Sequence, residues 1–177
     1  FIWNEYCDWY LELSKPVLNS DDTPADIKAG TRRTLLGVLE TAMRLSHPIM
    51  PYITEEIWQK VAPLAGIQSD TIMHQAFPIA QQSKINERAE VGIKWVQEFI
   101  LGIRKIRGEM DIAPGRKLDV FLANASGEDK AALALHAKTL QFVGRISRID
   151  VVDDERDVPE SAVALIGELK LMIPLAG

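Results

Sequence analysis

The sequence predicts a mainly α-helical protein, an antiparallel helical bundle over residues 1–112 followed by a small α/β unit with a C-terminal hairpin over residues 113–177. Three observations carry that expectation. Four amphipathic stretches, with apolar residues three or four apart and mostly short connections, succeed one another up to Met110. The segment Ile112-Ala113-Pro114-Gly115 then breaks the pattern. Beyond it the period changes, because Leu118-Asp119-Val120-Phe121-Leu122 alternates like a half-buried strand.

In the first stretch Ile2, Tyr6, Trp9, Leu13 and Val17 form one stripe of a 3.6-residue helix, widened by Trp3 and Tyr10. The opposite stripe is Asn4, Asp8, Leu11 and Lys15, so Leu11 is expected as a lone apolar side chain among polar ones. Pro16 weakens this helix near its end. A second helix is expected from about Thr23 to Leu45, opened by Asp22-Thr23-Pro24 and packed through Ile27, Leu35, Val38, Ala42 and Leu45. His47-Pro48 ends it, since a proline disfavours the helical conformation of its predecessor. A shorter helix is expected from Thr54, with Glu55 and Glu56 complementing its positive end. The fourth runs from about Asn86 to Met110, with Val96, Phe99, Ile103, Ile106 and Met110 on its inner face.

In the α/β unit, Leu118–Leu122 is the first strand, Glu128–Val143 returns to helical spacing, and Ile149–Val152 is a second strand. Val163–Ile166 and Leu169–Ile173 flank Gly167-Glu168, a glycine-first pair suited to a two-residue hairpin turn. The acidic run Asp153-Asp154-Glu155-Arg156-Asp157 is expected as a solvated loop after a strand.

The chain has 177 residues and 47% apolar content, enough to bury a core without staples. Its single cysteine, Cys7, excludes an intrachain disulfide, fits a reducing cytoplasmic compartment and is expected to be buried and inert. No apolar run approaches the roughly 20 residues of a membrane span. The opening Phe1-Ile2-Trp3-Asn4 is already helical and lacks an initiator methionine or leader, as expected of a piece of a longer protein. The net charge of −5 argues against a general electrostatic binder of nucleic acid, so any RNA contact is local and its salt dependence shallow.

The ingredients of catalysis do not cluster. His47, His74 and His136 lie far apart and share no cysteine or histidine at metal-ligand spacing, so no metal site is expected. Glu55 and Glu56 point about a hundred degrees apart on a helix and cannot flank one substrate. There is no glycine-rich phosphate cradle. His47 is expected to bond the last carbonyls of its helix. Of the tryptophans, Trp3, Trp9 and Trp58 are expected in the core rather than as platforms for RNA bases, the reading that aromatic faces otherwise invite. No catalytic residue is assigned.

Two stretches carry a resemblance. Glu5-Tyr6-Cys7-Asp8-Trp9-Tyr10-Leu11-Glu12 with Lys15-Pro16 resembles the valyl-tRNA synthetase form of an anticodon-binding helix, and His47-Pro48-Ile49-Met50-Pro51 with Thr54-Glu55 is shared more widely among class I aminoacyl-tRNA synthetases. Ile103–Gly115 and Ile173–Gly177 again resemble the valine enzymes. The resemblance implies a parent that joins valine to its tRNA with ATP and magnesium and edits mischarged threonine in another domain. The His-x-Gly-His and Lys-Met-Ser-Lys-Ser signatures are absent from these residues. The chain therefore corresponds to the recognition part, with no cofactor of its own, partnered by tRNA and by the parent's catalytic and editing domains, and expected to be a monomer away from any membrane.

The resemblance also implies where RNA would bind: the side of the first helix carrying Leu11, with Asn4, Asp8 and Lys15 as neighbours able to meet base edges or a phosphate. Arg104 and Arg107, three apart on the fourth helix, are further candidates, as is the patch of Lys28, Arg32 and Arg33. Pairing of Arg107 with Asp111 is the structural alternative. Two other readings stand beside this one, the same region of an isoleucine enzyme and a helical protein-interaction module that binds no RNA.

Overall fold

The computed structural model describes residues 1–175, and the end of the resemblance at Ala176-Gly177 lies outside them. Among the described residues the chain is mainly α, with five α-helices, a π-helical opening and one mixed sheet of four strands. It divides into two compact units, Phe1–Ile85 and Asn86–Gly177.

The first unit begins with the π-helical segment Ile2–Leu11, which continues as α1 (Glu12–Asn19). The changeover falls at Glu12, the residue whose carbonyl meets the ring of Pro16 four positions on, the contact at which a proline distorts a helix. Helix α2 (Ala25–Ser46) follows with Pro24 as its N-cap. Helix α3 (Pro51–Leu64) starts at a proline, which loses nothing in a first turn whose N–H groups lack partners, so it begins three residues before the expected Thr54. The core is Ala42 and Met43 from α2, Trp58 and Ala62 from α3, and Ile72, with Ile2, Leu39, Ile57 and Ile67 packed against it. Ile27 and Leu45, expected inside, are exposed. Cys7 is half-buried rather than fully enclosed.

The second unit opens with α4 (Glu87–Glu109), capped by Asn86, whose side chain accepts from the Ala89 N–H. Strand β1 (Leu118–Ala123), α5 (Gly127–Gly144) and β2 (Ile146–Val152) form a crossover with β1 and β2 parallel, and β3 (Ser161–Ile166) and β4 (Leu169–Pro174) form the expected hairpin. Gly167 supplies its positive φ of 59°. The strand order is β2-β1-β4-β3. Val96, Phe99, Ile100, Ile103 and Ile106 bury one face of α4 in this unit, and the helix runs so close to the sheet that a Cβ on Gly102 would stand 3.4 Å from that of Ala164. The expected boundary at 112 places this helix with the bundle. The compact units divide instead at Ile85/Asn86, because the apolar face of α4 is covered by the sheet and α5.

Candidate nucleic-acid interface

The opening helix is the element expected to meet RNA, and its winding changes which side chains share a face. Tyr6 N–H reaches back five residues to the Phe1 carbonyl, at 3.2 Å. A π-helix turns about 80° per residue against about 100° for an α-helix. Asn4 and Asp8 stay within about 30° of each other on this winding, with Trp3 adjoining, and all three are exposed. Leu11 rotates by roughly 150° from Asn4, toward Ile2, Tyr6 and Tyr10, and is half-buried. The expectation that Leu11 stands out among Asn4, Asp8 and Lys15 is thereby corrected. Lys15 is exposed and paired with Glu12 on α1.

The buried side holds the helix in place. Tyr6 is 6% exposed and donates its hydroxyl to the Leu35 carbonyl of α2 at 3.1 Å, and its ring packs against Tyr10 with centroids 6.1 Å apart. Burial pushes the pKa of both phenols up. The exposed side has the chemistry of base recognition. Asn4 offers an amide donor and acceptor, Asp8 accepts from base amino groups, and Trp3, 74% exposed, presents an aromatic face. Trp58 is fully buried and Trp9 half-buried, but Trp3 is not in the core, because the widened helix turns it away from the face of Tyr6.

The remaining candidates separate. Arg104 is exposed on α4. Arg107 is committed to backbone carbonyls, donating to Ala113 at 3.2 Å, Arg116 at 2.7 Å, Gly144 at 3.1 Å and Arg145 at 3.3 Å. It closes the C-terminal end of α5 over the loop after α4 and does not take the Asp111 pairing. Burial, and then the neighbouring Arg145, lower its pKa. Lys28 is half-buried and Arg32 and Arg33 are exposed on α2.

His47 lies with Nδ1 2.8 Å from the Thr54 hydroxyl rather than on the last carbonyls of α2. Glu55 falls in the second turn of α3, where its carboxylate accepts from Gln59, from the Thr71 hydroxyl at 2.8 Å and from the Ile72 N–H at 3.2 Å. These bonds, Gln59 first, hold its pKa below the usual carboxylate value and tie the loop at 71–72 to α3. Glu56 instead pairs with Lys60 at the surface.

Sequence reasoning missed Glu40. Only 3% exposed, it accepts from Trp58 at 2.9 Å and from Arg44 at 2.9 Å, while Arg44 also donates to the Ala76 carbonyl at 2.7 Å. The Arg44 Nε lies 2.8 Å from the carboxylate without the alignment of a hydrogen bond. The available signal was a single acid within the α2 run Leu36, Glu40, Met43, spaced four and three apart.

Among the described residues no group of three or more His, Cys, Asp or Glu side chains could hold a metal ion, and no helix is long and apolar enough to cross a membrane. Residues 1–122 match the family described as the anticodon-binding domain of tRNA ligase. The matched region takes in the π-helical opening, α1 to α4 and most of β1. It spans more than two thirds of the chain, which belongs to the anticodon-binding domain family of the tRNA ligases.

Proposed function

We propose that this chain is the anticodon-recognition part of a valyl-tRNA synthetase, a cytoplasmic class I enzyme whose other domains bind ATP and magnesium and carry out aminoacylation and editing. Membership of the family makes tRNA the partner and its anticodon the feature recognised. The valine assignment rests on one observation, the motif Glu5–Glu12 with Lys15-Pro16, which falls on the π-helix and α1.

In this reading the exposed side of the opening helix takes the splayed anticodon loop. Trp3 stacks on an unpaired base, while Asn4 and Asp8 meet base edges, each good contact contributing about 1–3 kcal/mol. Lys15 and Arg104 serve the phosphates, and the buried Tyr6, with the half-buried Tyr10 packed on it, fixes the helix against α2. The module does no chemistry of its own and orients the acceptor end toward the parent's active site.

The test is a titration of the full chain with valine tRNA, with a transcript altered only in the anticodon, and with isoleucine tRNA, by filter binding. Preference for the authentic valine anticodon supports the reading. Preference for the isoleucine tRNA moves the chain to the sister enzyme, and equal binding to all three overturns anticodon recognition by these residues.

A further inference from the structure

The second unit gathers positive charge around the start of its parallel strand pair. Between Arg104 and Lys117 lie five basic residues against two acids, in a chain whose net charge is −5. Arg107 binds the carbonyls of Arg116 and Arg145 and so fixes the backbones of two further arginines beside its own guanidinium. Leu118 pairs with Ile146 in the parallel sheet, and its N–H bonds to the Arg145 carbonyl at 3.0 Å. Lys117 and Arg145 therefore enter neighbouring strands side by side, both exposed. Among the described residues neither has a carboxylate within ion-pair distance. Arg148, three residues beyond Arg145, contrasts with them, since it is paired with Asp119 and Asp150.

The backbone adds a second, independent observation. Arg145 caps α5 in the left-handed conformation, with φ 50° and ψ 55°. That conformation costs a non-glycine residue about 1–2 kcal/mol, and glycine is its usual occupant at a helix end. The glycine here is one position earlier. Gly144 is buried, and a Cβ on it would fall 2.8 Å from Ile146 Cδ1 and 3.3 Å from Ile100 Cδ1, so packing requires it. The strained position carries an exposed arginine although the bonds it makes to the fold are those of its backbone, the N–H to the Gln141 and Phe142 carbonyls and the carbonyl to Leu118 and Arg107.

We propose that Arg145 and Lys117, flanked by Arg116, form a phosphate-binding ridge that grips the tRNA backbone outside the anticodon. This rests on the tRNA-binding function and adds to it a site in the second unit, built partly from residues beyond the 1–122 family match. The ridge reads no sequence. Its contribution is electrostatic and carries a salt dependence of its own.

Arg145→Gly separates binding from structure, because glycine relieves the left-handed strain while keeping the carbonyl that Arg107 and Leu118 use. Filter binding of the full chain to valine tRNA and to its anticodon-altered transcript is measured at several salt concentrations, with urea denaturation alongside. The expected result is an unchanged or higher urea midpoint and weaker binding to both RNAs by the same factor. The salt slope should fall by about one for Arg145→Gly and about two with Lys117→Gln added. Retained anticodon preference with unchanged affinity and slope overturns the ridge while leaving anticodon recognition intact. Loss confined to the authentic anticodon assigns the residues to base reading and also overturns it, as does a wild-type chain that binds neither RNA.

Discussion

The indole N–H of Trp58 donates to the carboxylate of Glu40 across 2.9 Å, joining α3 to α2 in the core of the first unit. Both groups are nearly water-free, at 0% and 3% exposure, and Arg44 holds the other side of the carboxylate. A buried charge is costly when unpaired, so the three side chains act together. Glu40→Ala strands both the indole and the guanidinium, and the expected loss is about 2–4 kcal/mol, reduced from the fully buried case because Arg44 reaches solvent. Trp58→Phe removes one donor, leaves the ion pair, and should cost about 1–3 kcal/mol. Urea denaturation followed by circular dichroism checks both. A loss below 1 kcal/mol for Glu40→Ala would show that the carboxylate is not a structural hub.

Leu11 and Trp3 exchange the roles their spacing suggested, which gives opposite expectations for two substitutions. Leu11→Asp places a charge on the half-buried side of the opening helix near Tyr6 and Tyr10 and should destabilise the first unit by about 1–3 kcal/mol. Trp3→Ala, at a side chain 74% exposed, should change stability by under about 0.5 kcal/mol. It should weaken tRNA binding by about 1–3 kcal/mol through lost stacking. Paired thermal melts and filter-binding titrations decide the matter. A stable Leu11→Asp that loses RNA would restore Leu11 to the exposed recognition face.

These two residues also show where the sequence is informative. A period of 3.6 locates α2 and α4 within a few residues, because their apolar faces obey the ordinary helix, and Gly167-Glu168 declares its hairpin through a conformation that glycine favours. The π winding of the first ten helical residues leaves no such mark. Tyr6 and Tyr10 fit an α-helical and a π-helical stripe alike, while Trp3 and Leu11 differ enough in turn between the two windings to change sides. The partition of the chain was hidden for another reason. The α4 stripe shows that the helix buries one face without naming the partner, and that partner is a sheet whose strands lie as many as 65 residues further on. Glu40 and Arg107 belong to the same class, since their partners are carbonyls and side chains brought close only by the fold.

Gly144 is expected to tolerate no side chain. Alanine is the better helix former by about 1 kcal/mol, which favours the substitution in isolation. Its Cβ would meet Ile146 and Ile100, which are 4% and 1% exposed and have little room to yield. Overpacking of this kind costs about 1–3 kcal/mol, so the net expectation for Gly144→Ala is a loss of about 1 kcal/mol, read from the urea midpoint. Gly144→Ala combined with Ile146→Val, which removes the nearest methyl group, should recover part of it. A stabilised single variant would mean that α5 and β2 are more loosely packed at this end.

Asp129 couples the start of α5 to α4 and makes that contact sensitive to acid. Its carboxylate accepts from the Ser126 N–H and hydroxyl in a capping box and from the Trp95 indole at 2.8 Å. Burial works to raise its pKa, but the bonds from Ser126 and Trp95 outweigh it and the group is held below the usual carboxylate value. The folded protein thus favours the charged form more than the unfolded chain does. The resulting stability is fully present above the unfolded value near 3.9 and is lost as pH falls through the lower, folded value. Asp129→Asn keeps an acceptor for Trp95 but cannot ionise, so it should be less stable than wild type at pH 7, with the gap closing as pH falls below about 4. Urea midpoints of the two proteins from pH 7 to pH 2.5 measure this directly. A gap that stays constant across the range would assign the contribution to hydrogen-bond geometry alone and remove the charge from the account.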